Sequence, residues 1–83
     1  MRPLTGKELA KLLERHGWQL ARVRGSHHFY TKPGRPERLS IPIHGSSTLK
    51  PGLQRRLVRT AGLPDDVVRE ELVAYVASDV EEG

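Results

Sequence analysis

The sequence contains no cysteine. That excludes a disulfide framework, a thiolate zinc site and a cysteine nucleophile. Aspartate is missing from the first 62 residues, whose only acids are Glu8, Glu14 and Glu37. With no aspartate there and no G-x-S-x-G elbow, a Ser-His-Asp triad has no basis, although Ser26 stands beside His27. No apolar run approaches the ~20 residues of a membrane-spanning helix, and none forms the core of a secretory leader. The chain is short as well. Its 83 residues make one domain, and a domain of that size buries only about 60–65% of the surface it exposes unfolded. The expectation is a soluble, cytoplasmic protein with a stability of roughly 5–10 kcal/mol.

What the chain does have is charge, unevenly placed. Residues 1–62 carry thirteen Lys and Arg against three acids, a net of +10, while residues 63–83 carry Arg69 against seven acids, a net of −6. A basic body of this kind suits a polyanion, most simply a nucleic acid. The acidic end has three readings: a solvated helix, a lid over the basic face, or a docking surface for another protein.

Local patterning gives an element order. Thr5 is a good N-cap, and Glu8 three residues on completes a capping box. Leu4 and Leu9 have the spacing of a hydrophobic staple. Leu9, Leu12 and Leu13 share one face, and Gly17 supplies a left-handed stop, so residues 6–16 read as an amphipathic helix. Three short strands follow. The first is 18–24, the second 27–32 and the third 38–43, with Gly25-Ser26 as a two-residue hairpin turn and 33–36 as a loop. Pro42 cannot donate to a ladder, which puts the third strand at an edge or ends it there. Pro51 opens a second helix, with Leu53, Leu57 and Ala61 on its buried face and Gln54, Arg55, Arg56 and Arg59 outside. Gly62 and Leu63 provide a C-terminal cap. A third helix is expected over 65–80, where Val68, Leu72, Val76 and Val80 recur at helical spacing. The fold class is α+β: a three-stranded antiparallel sheet with helices on one face, plus an extra C-terminal helix.

Chemistry concentrates in the histidines. His16 ends the first helix, where a protonated imidazole complements the dipole, and is structural. His27 and His28 follow the glycine turn among Arg22, Arg24, Tyr30 and Lys32. Strand alternation puts them on opposite faces. Phe29 shares parity with His27, so a buried Phe29 would turn His27 toward the helices unless His27 emerges beside the turn. His44 follows the third strand. A metal site is disfavoured, because no carboxylate accompanies these histidines. RNA cleavage fits better. RNA brings its own nucleophile, the 2′-hydroxyl, and needs only proton transfers and charge stabilisation at phosphorus. Imidazole, with an ordinary pKa near ~6.5, would handle the protons, and Arg and Lys would hold the phosphate; the residues alone equally allow that both histidines only hydrogen-bond within a basic surface.

Gly25-Ser26-His27-His28-Phe29-Tyr30 resembles the G-S-H-x-x-[FY] pattern of HicA-type (YcfA-like) toxins, placed as in that family after a helix ending in Gly17-Trp18. Ile41-Pro42-Ile43-His44-Gly45 resembles the family's V-P-x-H-x segment. Leu49-Lys50-Pro51-Gly52-Leu53 and Ala61-Gly62-Leu63 resemble its L-K-x-G-x-L and A-G-[LI] helix ends. The resemblance covers residues 4–63. It implies an α-β-β-β-α fold like a double-stranded-RNA-binding domain, in a domain over 1–63, with 64–83 as an acidic extension. It also implies a metal-independent mRNA interferase, the toxin of a toxin–antitoxin pair, with a HicB-type antitoxin as partner and no cofactor. The family's catalytic histidine maps onto His27, with His28 a lesser candidate. RNA would be held by Arg22, Arg24, Tyr30, Lys32, His44 and Lys50. The competing expectations are a non-catalytic RNA-binding module of the same fold and an interaction protein working through its acidic end.

Overall fold

A computed structural model describes residues 2–63. Helix α1 spans Gly6–Arg15, strands β1, β2 and β3 span Gln19–Arg24, His27–Lys32 and Arg35–Pro42, and helix α2 spans Pro51–Ala61. The helix expected over 65–80, and with it the extension over 64–83, lies outside the described residues. The strands form one antiparallel sheet in the order β1-β2-β3, so β2 is central and β3 is an edge, as Pro42 requires.

The start of α1 is the capping box read from the sequence. Glu8 N donates to Thr5 Oγ1 at 3.1 Å, and Thr5 N donates to Glu8 Oε1 at 2.9 Å. Leu4 and Leu9, the staple, are both fully buried. The helix ends one residue earlier than expected, at Arg15, and Gly17 takes a φ of +90° so that Trp18 N can donate back to Leu13 O. At the end of α2, Gly62 has a φ of +78° and Leu63 N donates to Val58 O, closing that helix in the expected way.

Both helices cover one face of the sheet. Tyr30, Leu39 and Ile41 point into that layer and pack with Leu9, Leu12, Leu13, Trp18, Leu57 and Val58. Burying each such side chain contributes roughly 1.5–3 kcal/mol. The buried residue of β2 is thus Tyr30, not Phe29, which is only half-buried. Tyr30 can be taken inside because its hydroxyl donates to Glu14 Oε2 on α1 at 3.1 Å. Burial, followed by the neighbouring Glu14 charge and that hydrogen bond, pushes the phenol pKa up to about 12.

Other expectations are corrected. β3 begins at Arg35, three residues early, because the turn is only Pro33-Gly34 between the paired residues Lys32 and Arg35. Pro36 is tolerated since β3 is an edge strand. Arg35 donates to Glu37 at 3.0 Å and to the Thr60 carbonyl at 2.6 Å, which fastens the start of β3 to the end of α2. Its hydrogen bond also holds the Glu37 carboxyl below the usual range. β1 is exposed along its whole length. A bulge at Ala21 puts Leu20 and Val23 on the same face, where they remain 47% and 52% exposed. Gln54, expected outside, is buried. Its Oε1 accepts from Leu4 N at 2.7 Å and its Nε2 donates to Arg2 O at 2.8 Å.

Candidate active site

One corner of the sheet gathers the histidines. Gly25, with a φ of +60°, lets the chain reverse in two residues, so that Arg24 pairs with His27. Ile43 N donates to Ser26 O at 2.8 Å, which ties the chain leaving β3 to this turn. Ser26 Oγ then lies 3.4 Å from Nε2 of His44. The amino end of α1 closes the corner from behind. Gly6 lies so near Pro42 and Ile43 that a Cβ there would run into the Pro42 carbonyl oxygen. Turn, strand start, strand exit and helix start therefore converge within a few residues of His27.

The register fixes what stands beside it. Side chains of directly paired residues share a face. Arg24, His27 and Pro42 form one row across the sheet, and Arg22, Phe29 and Ser40 form the next. Both rows lie on the face away from the helices, because Tyr30, Leu39 and Ile41 take the other parity. His27 is exposed on this open face, so the tension foreseen from a buried Phe29 does not arise. The Arg22 guanidinium sits 5.7 Å from the centre of the Phe29 ring. Arg38, exposed and next to buried Leu39, adds a further cation to the same face.

Each carboxylate of the described residues is engaged elsewhere. Glu8 binds Thr5 and Arg2, Glu14 accepts from Tyr30, and Glu37 accepts from Arg35. Among the described residues none pairs with Arg22, Arg24 or Arg38. The open face is therefore cationic, with an imidazole and an aromatic ring set among arginines. That combination can hold a phosphodiester, stack a base and move a proton.

The remaining expected residues fall differently. His28 shares the row of Val23 and Ile41, on the helix-side face, and is half-buried. Tyr30 is in the core, away from the open face. Lys32 stands at the far end of β2, roughly 17 Å along the strand from His27, and a Cβ on Gly17 would lie 3.3 Å from its Cε. Lys50 is exposed at the N-cap of α2, off the sheet. Sequence reasoning missed Ser26 as the neighbour of His44, and missed Phe29 and Arg38 as open-face residues. Alternation anchored on Tyr30 in place of Phe29 would have found the latter two. Among the described residues no three His, Asp or Glu side chains cluster as metal ligands do, and no helix is long and apolar enough to cross a membrane.

The family model described as the HicA toxin of bacterial toxin–antitoxin systems matches residues 6–63, from the first residue of α1 to the residue after the C-cap of α2. A search of curated proteins found no match to the chain.

Proposed function

This chain belongs to the HicA toxin family of bacterial toxin–antitoxin systems, and we propose that it is a metal-independent mRNA endoribonuclease in which His27 transfers a proton at the scissile phosphate. The observation that carries this reading is the exposed His27 in a row with Arg24, beside the Arg22–Phe29 pair, on a face whose arginines have no carboxylate partner among the described residues.

The chemistry follows from that arrangement. Arg22 and Arg24 bind the phosphate and offset the charge that grows on its oxygens as the nucleophile attacks. Phe29 gives a base a surface to stack on. A base removes the 2′-hydroxyl proton, the 2′-oxygen bonds to phosphorus, and the P–O5′ bond breaks as the leaving oxygen is protonated. The products are a 2′,3′-cyclic phosphate, opened later to a 3′-phosphate, and a 5′-hydroxyl. His27 serves one of the two proton transfers, each of which contributes roughly 10²–10⁴-fold. His28 is the weaker candidate, since its side chain is on the opposite face. Of the expected RNA contacts, Arg22 and Arg24 are kept as phosphate ligands at the cleavage site, His44 stands at the same corner of the sheet, Lys32 and Lys50 could hold phosphates only further along the strand, and Tyr30 is given no role.

An antitoxin partner goes with membership of the family. We take it to be of the HicB type and to cover the open face, which would stop cleavage in the cytoplasm until the antitoxin is removed. The test is end-group analysis of RNA cut by the purified protein, with and without EDTA. Cyclic or 3′-phosphate ends and EDTA-insensitive cleavage are expected. Fragments with 3′-hydroxyl ends, or cleavage abolished by EDTA, would overturn the mechanism. Salt-sensitive RNA binding with no cleavage would favour the non-catalytic RNA-binding module.

A further inference from the structure

Phosphodiester transfer needs two proton movements on opposite sides of phosphorus, and one imidazole does not serve both at once. The corner that exposes His27 offers a second. His27 pairs with Pro42, and His44 follows Pro42 by two residues. The intervening Ile43 is pinned by its N–H to the Ser26 carbonyl at 2.8 Å. His44 is exposed, and its Nε2 faces Ser26 Oγ at 3.4 Å. Ser26 is also the residue that joins the turn to His27. The two imidazoles are thus held through one short stretch of backbone, on adjoining strand ends, beside Arg24. A 3.4 Å contact is long for a hydrogen bond to a hydroxyl. Contacts in unliganded sites are commonly of this kind and tighten when substrate is seated.

We propose that His44 is the second proton-transfer group, the partner of His27, and that Ser26 is the residue that orients it. One imidazole takes the proton from the 2′-hydroxyl as the O2′–P bond forms. The other gives its proton to the 5′-oxygen as the P–O5′ bond breaks. The proton lost by the first and the proton spent by the second balance, and hydrolysis of the cyclic phosphate with the roles reversed restores both. The assignment rests on the endoribonuclease reading and adds to it a residue and a division of labour. It differs from a role for His44 in gripping RNA, which would affect binding and leave the chemical step alone.

The test is single-turnover cleavage of one oligoribonucleotide by the wild type, His27→Ala, His44→Ala, His44→Gln, Ser26→Ala and Ser26→Ala/His44→Ala, with RNA affinity and thermal unfolding measured for each. The substrate is used in two forms, with oxygen or with sulfur at the bridging 5′ position. A thiol has an ordinary pKa near ~8.5 and leaves without being protonated, so sulfur makes a general acid dispensable and leaves the need for a base. His44→Ala and His44→Gln are expected to slow cleavage of the oxygen substrate by about 10²–10⁴-fold with RNA affinity and melting unchanged. The sulfur substrate is expected to restore one of His27→Ala and His44→Ala and not the other. Ser26→Ala is expected to slow the wild type and to have no further effect on His44→Ala, the non-additivity of a residue that acts through another. Wild-type rates in both His44 variants, a loss confined to affinity, or restoration of neither histidine variant by sulfur would overturn the proposal. If His27→Ala is inactive while His44→Ala is fully active, the role of His27 stands and this pairing falls. If the wild type does not cleave at all, both fall.

Discussion

Gln54 is a buried polar side chain of α2 that holds the segment leading into α1. It is 3% exposed and bridges the segment before α1: Oε1 accepts from Leu4 N at 2.7 Å and Nε2 donates to Arg2 O at 2.8 Å. Leu4 O in turn accepts from Leu49 N at 2.7 Å, so the same segment holds the end of the loop that carries His44. Replacing Gln54 by Ala leaves the Leu4 N–H buried without an acceptor, a loss of about 1–3 kcal/mol, and removes a second bond worth about 0.5–1.5 kcal/mol. A total near 2–4 kcal/mol is expected. In a domain of this size each kcal/mol shifts the melting temperature by about 4–8 °C, so Gln54→Ala should melt roughly 10–25 °C lower by circular dichroism. Gln54→Met separates hydrogen bonding from packing, because it restores most of the volume and neither polar partner. Met should therefore fall close to Ala. Wild-type melting in either variant would refute the reasoning: in Ala, by showing that Leu4 N finds another acceptor, and in Met, by showing that Gln54 only fills space.

Three further outcomes are expected. The Tyr30 phenol, held protonated by burial and Glu14 up to about 12, stabilises the fold below the unfolded pKa near ~10 and loses that contribution as pH rises from there toward its folded value. Wild-type stability should fall over that alkaline window, while Tyr30→Phe, about 1 kcal/mol less stable at neutral pH, should lack that part of the fall in denaturant titrations. Gly6→Ala forces a methyl into the Pro42 carbonyl and should destabilise by about 1–3 kcal/mol, read as a lower urea midpoint. Arg22→Ala and Arg24→Ala should each weaken RNA binding and reduce the slope of log K against log salt by about 0.7 on single strands. An unchanged slope would mean that neither arginine meets a phosphate.

How much of this was legible in the sequence depended on range. Features fixed by neighbours a few residues apart read correctly: the Thr5–Glu8 capping box, the left-handed Gly17, the Gly25-Ser26 turn, the Gly62–Leu63 cap. The hairpin turn also placed His27 at a strand start, where it is exposed. What failed depended on distant partners. Hydrophobicity alone favours Phe29 as the core residue of β2, but Tyr30 is the buried one, and its hydroxyl donates to Glu14, sixteen positions away. Gln54 looked like one more polar residue on an arginine-rich helix, and only the path of residues 2–4 past it explains its burial. The two prolines around Gly34 suggested a loop, whereas an edge strand has room for a residue that cannot donate. For the site, the glycine-serine-histidine run marked His27, and the arginines beside it were evident. The meeting of Ser26 with His44 was not, since it follows from sheet register and the pinned chain at Ile43.

His27 is the residue on which the functional account turns, and the most direct test is the rate at which it acts. Single-turnover cleavage of one defined RNA should be compared for the wild type and His27→Ala, both shown to be folded and to bind that RNA equally. Cleavage slowed by about 10²–10⁴-fold in the variant, with affinity unchanged, is the predicted result. Equal rates in the two proteins would contradict it.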